Sequence, residues 1–548
     1  MSESQVFPGQ LAPEQADSWP VTDAHIAAGG ALIGLDFTED ERALMRKGVN
    51  EHLAAYGQIR GVPLPNQVMP AIRFDPRPPA PLPPSPRRPL TPSPAALPPL
   101  PDDLPANIEA LAFAPVTLLA ELIRTRRVTS LQLTEMYLDR LKRYGPTLEC
   151  VVTLTEELAR AQATRADAEI AAGRYRGPLH GIPWGAKDLL ATRGYPTTWG
   201  APPYKDQVID QDATVVQRLE EAGAVLVAKL TLGALAWGDV WFGGKTRSPW
   251  NLEEGSSGSS AGSGAATAAG LVGFSIGTET FGSIVSPSNE CGVTGLRPTF
   301  GRVSRHGAMA LCWTLDKIGP MCRAVEDCAL VFDAIYGPDG LDPTVVDMPF
   351  DYQPGVDLSK LRIGYLKADF EVERPTKALD DQSLRVLRAL GADLIPIELP
   401  DYPTDALLFI LWVEAAAAFD ELTRSNRDDE LALQIEMAWP NKMRVARLAP
   451  AVEYIQANRV RMLVMQAMAK LMDQVDLYVT PTFGRSLWLT NATGHPQVAL
   501  PNGFRANGLP STISLVGRLY DEGTLLAVAK ALQDATDFHR QIPPRFAP

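Results

Sequence analysis

The chain has 548 residues, 45% of them hydrophobic, and a formal net charge of −13. That length and apolar content provide for a large core, in one big domain or two ordinary ones. The acidic balance, with no Lys/Arg block, argues against nucleic acid and anionic membranes as main partners, and no apolar run is long enough for a transmembrane helix.

The first thirty residues are polar and lack the apolar stretch of a signal peptide. Two helical patterns follow, at Asp23–Leu35 and Thr38–Ala55. Thr38 and Glu41 have the spacing of a capping box. Fourteen prolines then fall between Asp75 and Pro105. Proline fixes φ and removes a backbone donor, so this segment should be extended and semi-rigid. Pro83-Pro84-Ser85-Pro86 also has the spacing of a ligand for polyproline-binding modules. A strap joining an N-terminal arm to the main body is the favoured reading. Residues 1–74 are thus an N-terminal helical arm and 75–105 a proline-rich extended strap.

From Ala106 the composition becomes ordinary. Apolar residues recur at helical spacing over Thr117–Arg127 and Leu131–Tyr144, with Ser130 expected as the cap of the second helix. An Ala-rich helix is predicted over Thr155–Ala172. Helix Thr214–Ala222, strand Val225–Leu230 and helix Leu232–Gly238 read as α/β alternation. The small-residue run from Ala265 to Gly270 reads as a packed helix feeding a buried strand at Leu271–Ile276. Strands are predicted at Arg362–Leu366 and Ala392–Ile397, with helix Ala378–Leu390 between them. Residues 405–472 are nearly all helical in pattern. Strands at Asp476–Pro481, Gln497–Pro501 and Ser511–Val516 and a helix at Glu522–Thr536 complete the chain.

The stretch from Gly255 to Pro287 concentrates hydroxyls and glycines. Serine is a poor nucleophile until a base takes its proton, and glycines let backbone N–H groups approach a reacting oxygen. A flexible Gly/Ser linker is the plain alternative, but the apolar run that follows argues for a packed element. Gly258-Ser259-Ser260-Ala261-Gly262 matches a nucleophile elbow in form, with Ser260 as nucleophile. That motif needs a buried strand before it, and Pro249–Glu254 is no such strand. Gly244-Lys245-Thr246 resembles the end of a P-loop, but Asp239 stands where the first glycine should be. Lys187 follows the apolar, glycine-punctuated Gly181–Ala186. Burial there would lower its pKa by the roughly three units that a base at neutral pH requires. A surface lysine paired with Asp188 remains the other reading. Cys150, Cys291, Cys312, Cys322 and Cys328 are sparse and odd in number, which favours a reducing, cytoplasmic setting over a disulfide framework. The six histidines are scattered and Cys322 and Cys328 have no histidine nearby, so neither a metal nor a cofactor is expected.

Several blocks in order resemble the amidase signature family of Ser-Ser-Lys hydrolases. These are Gly177–Asp188, Ser257–Ser263, Gly277–Ile284, Cys291–Thr299, Leu315–Pro320 and Gly494–Pro501. The resemblance spans about residues 105 to 540. It implies one large α/β domain over 106–540, with a central mixed twisted sheet flanked by helices. Residues 405–472 form its helical, cleft-covering region, and the helical arm is added at the N-terminus. By motif, Ser283 is the implied nucleophile, Ser259 the bridging serine held by a cis peptide bond, and Lys187 the base. Backbone N–H groups around Thr280, Phe281, Gly282 and Ser283 are the implied oxyanion hole. The sequence departs from the family pattern at Glu279, Phe281, Val285 and Ser257, none of which is a proton carrier.

The function this implies is hydrolysis of a carbon–nitrogen amide bond in a carboxamide or anilide, or of a carbamate or ester, through a seryl acyl-enzyme. An amidotransferase-type or non-catalytic assembly subunit of the same family is the alternative. Trp184, Trp237, Trp412 and Trp439, with Trp241, Phe242 and Met437, are candidates for an apolar substrate pocket. The expected partners are a small-molecule amide and water, with no nucleic acid and no membrane. A homodimer built partly by the arm is the expected assembly.

Overall fold

A computed structural model describes residues 19–64, 71–72, 90, 104 and 106–548. Almost all of the proline-rich strap therefore lies outside the described residues. The framework is an eleven-stranded mixed sheet. Its strands, numbered in chain order, are β1 (Val151–Leu154), β2 (Pro183–Lys187), β3 (Val225–Leu230), β4 (Phe274–Glu279), β5 (Thr294–Arg297), β6 (Lys317–Cys322), β7 (Ile363–Leu366), β8 (Leu394–Ile397), β9 (Leu477–Pro481), β10 (Gln497–Phe504) and β11 (Pro510–Gly517). Their spatial order is β1-β3-β2-β4-β6-β5-β10-β11-β9-β7-β8. The β3-β2-β4 and β9-β7-β8 neighbours run parallel. The pairs between these two blocks are antiparallel.

Helices cover both faces, so the central strands read as continuous apolar runs rather than alternating ones. Leu226 faces one core while Val225 and Val227 face the other. Near the far edge Leu477 and Val479 join the first core, and Tyr478 joins a third cluster with the helix Ala451–Met472. Close approach at the centre depends on small side chains. In the helix Ala261–Ala268, a Cβ on Gly262 would stand 2.5 Å from the Cys150 carbonyl oxygen and from the Thr231 nitrogen.

Two local expectations are corrected. Thr129, not Ser130, caps the helix Ser130–Leu148: its Oγ1 accepts from Gln132 N at 3.1 Å, and the Gln132 side chain accepts from Thr129 N at 2.9 Å. Ser130 is drawn off to donate to the Gly181 carbonyl at 2.8 Å. The predicted helix Leu232–Gly238 is only a 3-10 turn, Ala234–Ala236, with Leu235 and Ala236 at φ of 50° and 62°. Tertiary bonds override its local preference: Leu235 N donates to the Trp199 carbonyl, and the Leu235 carbonyl accepts from Trp439 Nε1, each at 2.9 Å.

The N-terminal helices Asp23–Ile33 and Glu39–Arg60 lie against the helices of the 405–472 region. The Thr38/Glu41 capping box is present. Ile26, Phe37 and Met45 cluster with Val445, and Tyr56 and Ile59 with Phe409 and Val460. Lys47 pairs with Glu436 at 2.8 Å, and Arg444 with Glu41 at 2.8 Å. Ile59 is 0% exposed between arm and body. Ile59→Ala should lower stability by about 2–5 kcal/mol in urea unfolding, with the slope of the transition unchanged.

Candidate active site

Parallel pairing of β2 with β4 brings Lys187 and Thr278 to one carboxyl edge of the sheet, where open α/β sheets place their ligands. Lys187 is 0% exposed. Its Nζ lies 2.9 Å from Ser259 Oγ, 3.0 Å from Ser260 Oγ and 2.8 Å from Thr278 Oγ1. Burial therefore holds the amine well below the ordinary lysine value, with Asp316 and Glu279 opposing through space. Asp188 is taken elsewhere, by Lys229 at 2.8 Å and by Thr198 Oγ1 and N at 2.5 and 2.9 Å. The surface-pair reading of Lys187 is thereby corrected.

The hydroxyl shell has a defined polarity. Ser260 Oγ donates to the Thr278 carbonyl at 3.1 Å and accepts from Thr278 N at 3.1 Å. With its proton committed, Ser260 can only accept from Lys187. Ser259 Oγ and Thr278 Oγ1 are the two hydroxyls left that could donate to the lone pair of a neutral amine. Gly258–Ser259 is a cis peptide bond. The loop is close-packed, since a Cβ on Gly258 would lie 1.8 Å from the Gly238 carbonyl oxygen.

Ser283 is 9% exposed, in the turn between β4 and the helix Val285–Cys291. Its carbonyl accepts from Ser260 N at 3.1 Å, which ties the two serine loops together. Among the described residues its hydroxyl has no hydrogen-bond partner, and Ser259 Oγ is bonded to Lys187 alone. The structure thus joins Lys187 to Ser259 directly and Ser283 to their loop through the backbone. No partner among the described residues takes the N–H groups of Phe281, Gly282 and Ser283. Gly282 supports this turn at φ 85°, and the Phe281 ring packs on Trp488.

Sequence reasoning missed the supports of this turn. Glu279 Oε2 accepts from Ile284 N and Val285 N at 2.9 and 3.0 Å. Its Oε1 accepts from Arg297 Nη1 at 2.8 Å and Asn491 Nδ2 at 2.9 Å. Burial alone would raise this carboxyl, but Arg297 and Lys317 outweigh it and hold the pKa at about 2. Arg297 thus supplies a cation although residue 285 is valine. Lys317, bonded to Asn491 Oδ1 at 2.8 Å, is brought down to about 7, first by burial and then by Arg297. Asp316 accepts from Thr280 Oγ1 at 2.6 Å. Thr278, Ser260 and Asp316 all lay in quoted blocks, but no spacing rule says which hydroxyls converge on an amine.

A cavity of about 340 Å3 adjoins the site and shares Thr278 and Thr280 with it. Leu189, Met309, Leu311 and Ile318 give it apolar walls. Trp184, Trp237, Trp412 and Trp439 are not part of its wall among the described residues. Trp184 is 1% exposed and stacks on Phe274 in the core, which corrects its candidacy. Trp237 is half-buried against the same core. Trp412 and Trp439 meet edge to face at 5.6 Å. The described residues contain no group of His, Cys, Asp and Glu that could hold a metal, and no helix long and apolar enough to cross a membrane.

The Amidase family model matches residues 132–487. The chain is 36% identical over 480 residues to a glutamyl-tRNA(Gln) amidotransferase subunit from Roseiflexus sp. (strain RS-1), covering 77% of this chain and 96% of that one. It is similar to native peptide amidase from Stenotrophomonas maltophilia, with TM-score 0.70, 30% identity, and 80% and 100% of the two chains covered. An amidase family protein from Bacillus anthracis str. Ames gives TM-score 0.71 and 26% identity, covering 80% of this chain and 95% of that one.

The buried amine makes stability depend on pH. The unfolded chain binds a proton that the folded site excludes, so stability rises with pH from the depressed folded value up to the unfolded value of about 10.4. Urea unfolding at pH 7, 8, 9 and 10 should show the parent chain gaining on Lys187→Met, by up to about 1.4 kcal/mol per pH unit. The comparison cancels the other buried lysines.

Proposed function

The chain belongs to the amidase signature family, and on that premise we propose that it hydrolyses the carbon–nitrogen bond of a small amide through an acyl-enzyme on Ser283. The observation that carries this reading is the fully buried Lys187 amine, its pKa lowered by burial, within hydrogen-bond distance of Ser259. In this reading Ser283 turns its hydroxyl onto Ser259; such bonds often tighten only once substrate is present. Lys187 takes the Ser259 proton as Ser259 takes that of Ser283, and Ser283 Oγ forms a bond to the amide carbon. The carbonyl oxygen, now negative, is received by the unpaired N–H groups of Phe281, Gly282 and Ser283, with Thr280 at the entry of the same turn. Donors fixed before the reaction need no reorganisation, and each is worth roughly 3–4 kcal/mol. Ser259 then returns a proton to the leaving amine as the C–N bond breaks. Water enters, is deprotonated along the same path, and releases the acid.

The substrate class is an uncharged carboxamide or anilide, with carbamates and esters open to the same chemistry. The five buried free thiols support a reducing, cytoplasmic setting. The amidotransferase relatives favour a second reading, in which the same acyl chemistry serves one member of a larger assembly. Turnover by the isolated chain separates the two.

Lys187→Ala and Ser283→Ala should each lower kcat on 4-nitroacetanilide by about a thousandfold or more. For the parent chain kcat/KM should rise with pH as Lys187 loses its proton. Full turnover in either variant rules this mechanism out. An isolated chain inert on every amide, and active only with a partner, favours the assembly reading.

A further inference from the structure

The loop Leu311–Asp316 presents an unusual combination of a fixed backbone and an exposed indole. Leu311 N and Cys312 N donate to Asp316 Oδ2 at 2.8 and 2.9 Å. The Trp313 carbonyl accepts from Arg305 Nη1 at 2.6 Å. Thr314 N and Oγ1 donate to Glu414 at 3.0 and 2.7 Å, and the Thr314 carbonyl accepts from Arg461 Nη2 at 2.8 Å. Yet Trp313 itself is 48% exposed, on the rim of the cavity beside the site.

With the backbone already held, binding has only the indole's own rotamers left to order, so such a side chain is a largely preorganised contact. An indole offers a flat apolar face. The guanidinium at the rim is already matched, because Arg305 gives Nε and Nη2 to Asp342 at 2.8 and 3.2 Å and Nη1 to the loop. A neutral group therefore fits this rim better than an anion. Glu414 and Arg461 are 4% and 6% exposed and belong to the helices Phe409–Ala418 and Ala451–Met472, remote in sequence from the loop. The Tyr454 hydroxyl donates to Glu414 Oε1 at 2.9 Å and orients it further.

We propose that Trp313 determines specificity by stacking on an uncharged aryl group of the amide, and that Glu414 and Arg461 are positioning residues that hold it at the cavity mouth. This deepens the hydrolase reading and rests on it for the place of the reacting amide. Trp313→Ala should raise KM for benzamide or 4-nitroacetanilide about tenfold, with kcat within twofold and acetamide unaffected. Trp313→Phe should restore most of the loss. Glu414→Ala should give the same KM pattern, and the double variant Trp313→Ala/Glu414→Ala should be no worse than Trp313→Ala. Equal losses on acetamide, no loss on ring-bearing amides, or additive effects in the double variant overturn the proposal. Should Glu414→Ala not fold, the exposed Trp313 variants still decide it. Calorimetric binding of benzamide to full-length Ser283→Ala, with and without Trp313→Ala, separates the two readings. A tenfold weaker Kd supports the stacking role even if Ser283→Ala still turns over, which would sink only the nucleophile. A chain that binds no benzamide at all overturns the stacking role.

Discussion

Everything at the site depends on an amine kept out of water with hydroxyls for company and, among the described residues, no carboxylate in contact. An ammonium at Lys187 would be poorly solvated by Ser259, Ser260 and Thr278. A touching Asp or Glu would restore its charge and remove its value as a base. The fold keeps both nearby carboxylates occupied. Glu279 is held by Arg297 and by backbone N–H groups, and Asp316 by Thr280 and its own loop. Their fields reach Lys187, but burial dominates.

The same two carboxylates shape the ground around Ser283. Glu279 closes the turn by accepting from Ile284 N and Val285 N, just past the serine. The N–H groups of Phe281, Gly282 and Ser283 are thereby left without internal partners among the described residues. Asp316 links that turn, through Thr280, to the loop that carries Trp313. One buried acid thus sets the serine turn, and the other joins it to the cavity rim.

The helices of residues 405–472 touch the surroundings of the site, and the N-terminal arm packs on those helices. Trp439 reaches from that region to the Leu235 carbonyl, beside Ala236 in the cavity wall. Glu414 and Arg461 reach the loop on another side. The arm, outside the residues matched by the family model, packs on these helices through Phe409 and Val445. Ile26, Met45 and Ile59 of the arm are buried by that contact, whereas Leu32 stays exposed.

Much of this was legible in one dimension because the relevant forces are local. The capping box at Thr38, the strand Val225–Leu230 and the helix between the strands near 363 and 397 follow from residue spacing, cap chemistry and β-branched runs. The glycine and serine runs marked a place where backbones must approach closely, and the ordered blocks pointed to Lys187, Ser259 and Ser283 as candidates. Partner choice was not legible. Asp188 adjoins Lys187 in sequence yet, in the turn just past β2, pairs with Lys229 of the neighbouring strand β3. Leu235 abandons a helix for a distant indole. Arg297, on a different strand, supplies the cation that meets Glu279. Sequence determined which groups are present and which segments become strands or helices. Only the packed sheet decided which hydroxyls surround the amine, since those contacts join residues more than seventy positions apart.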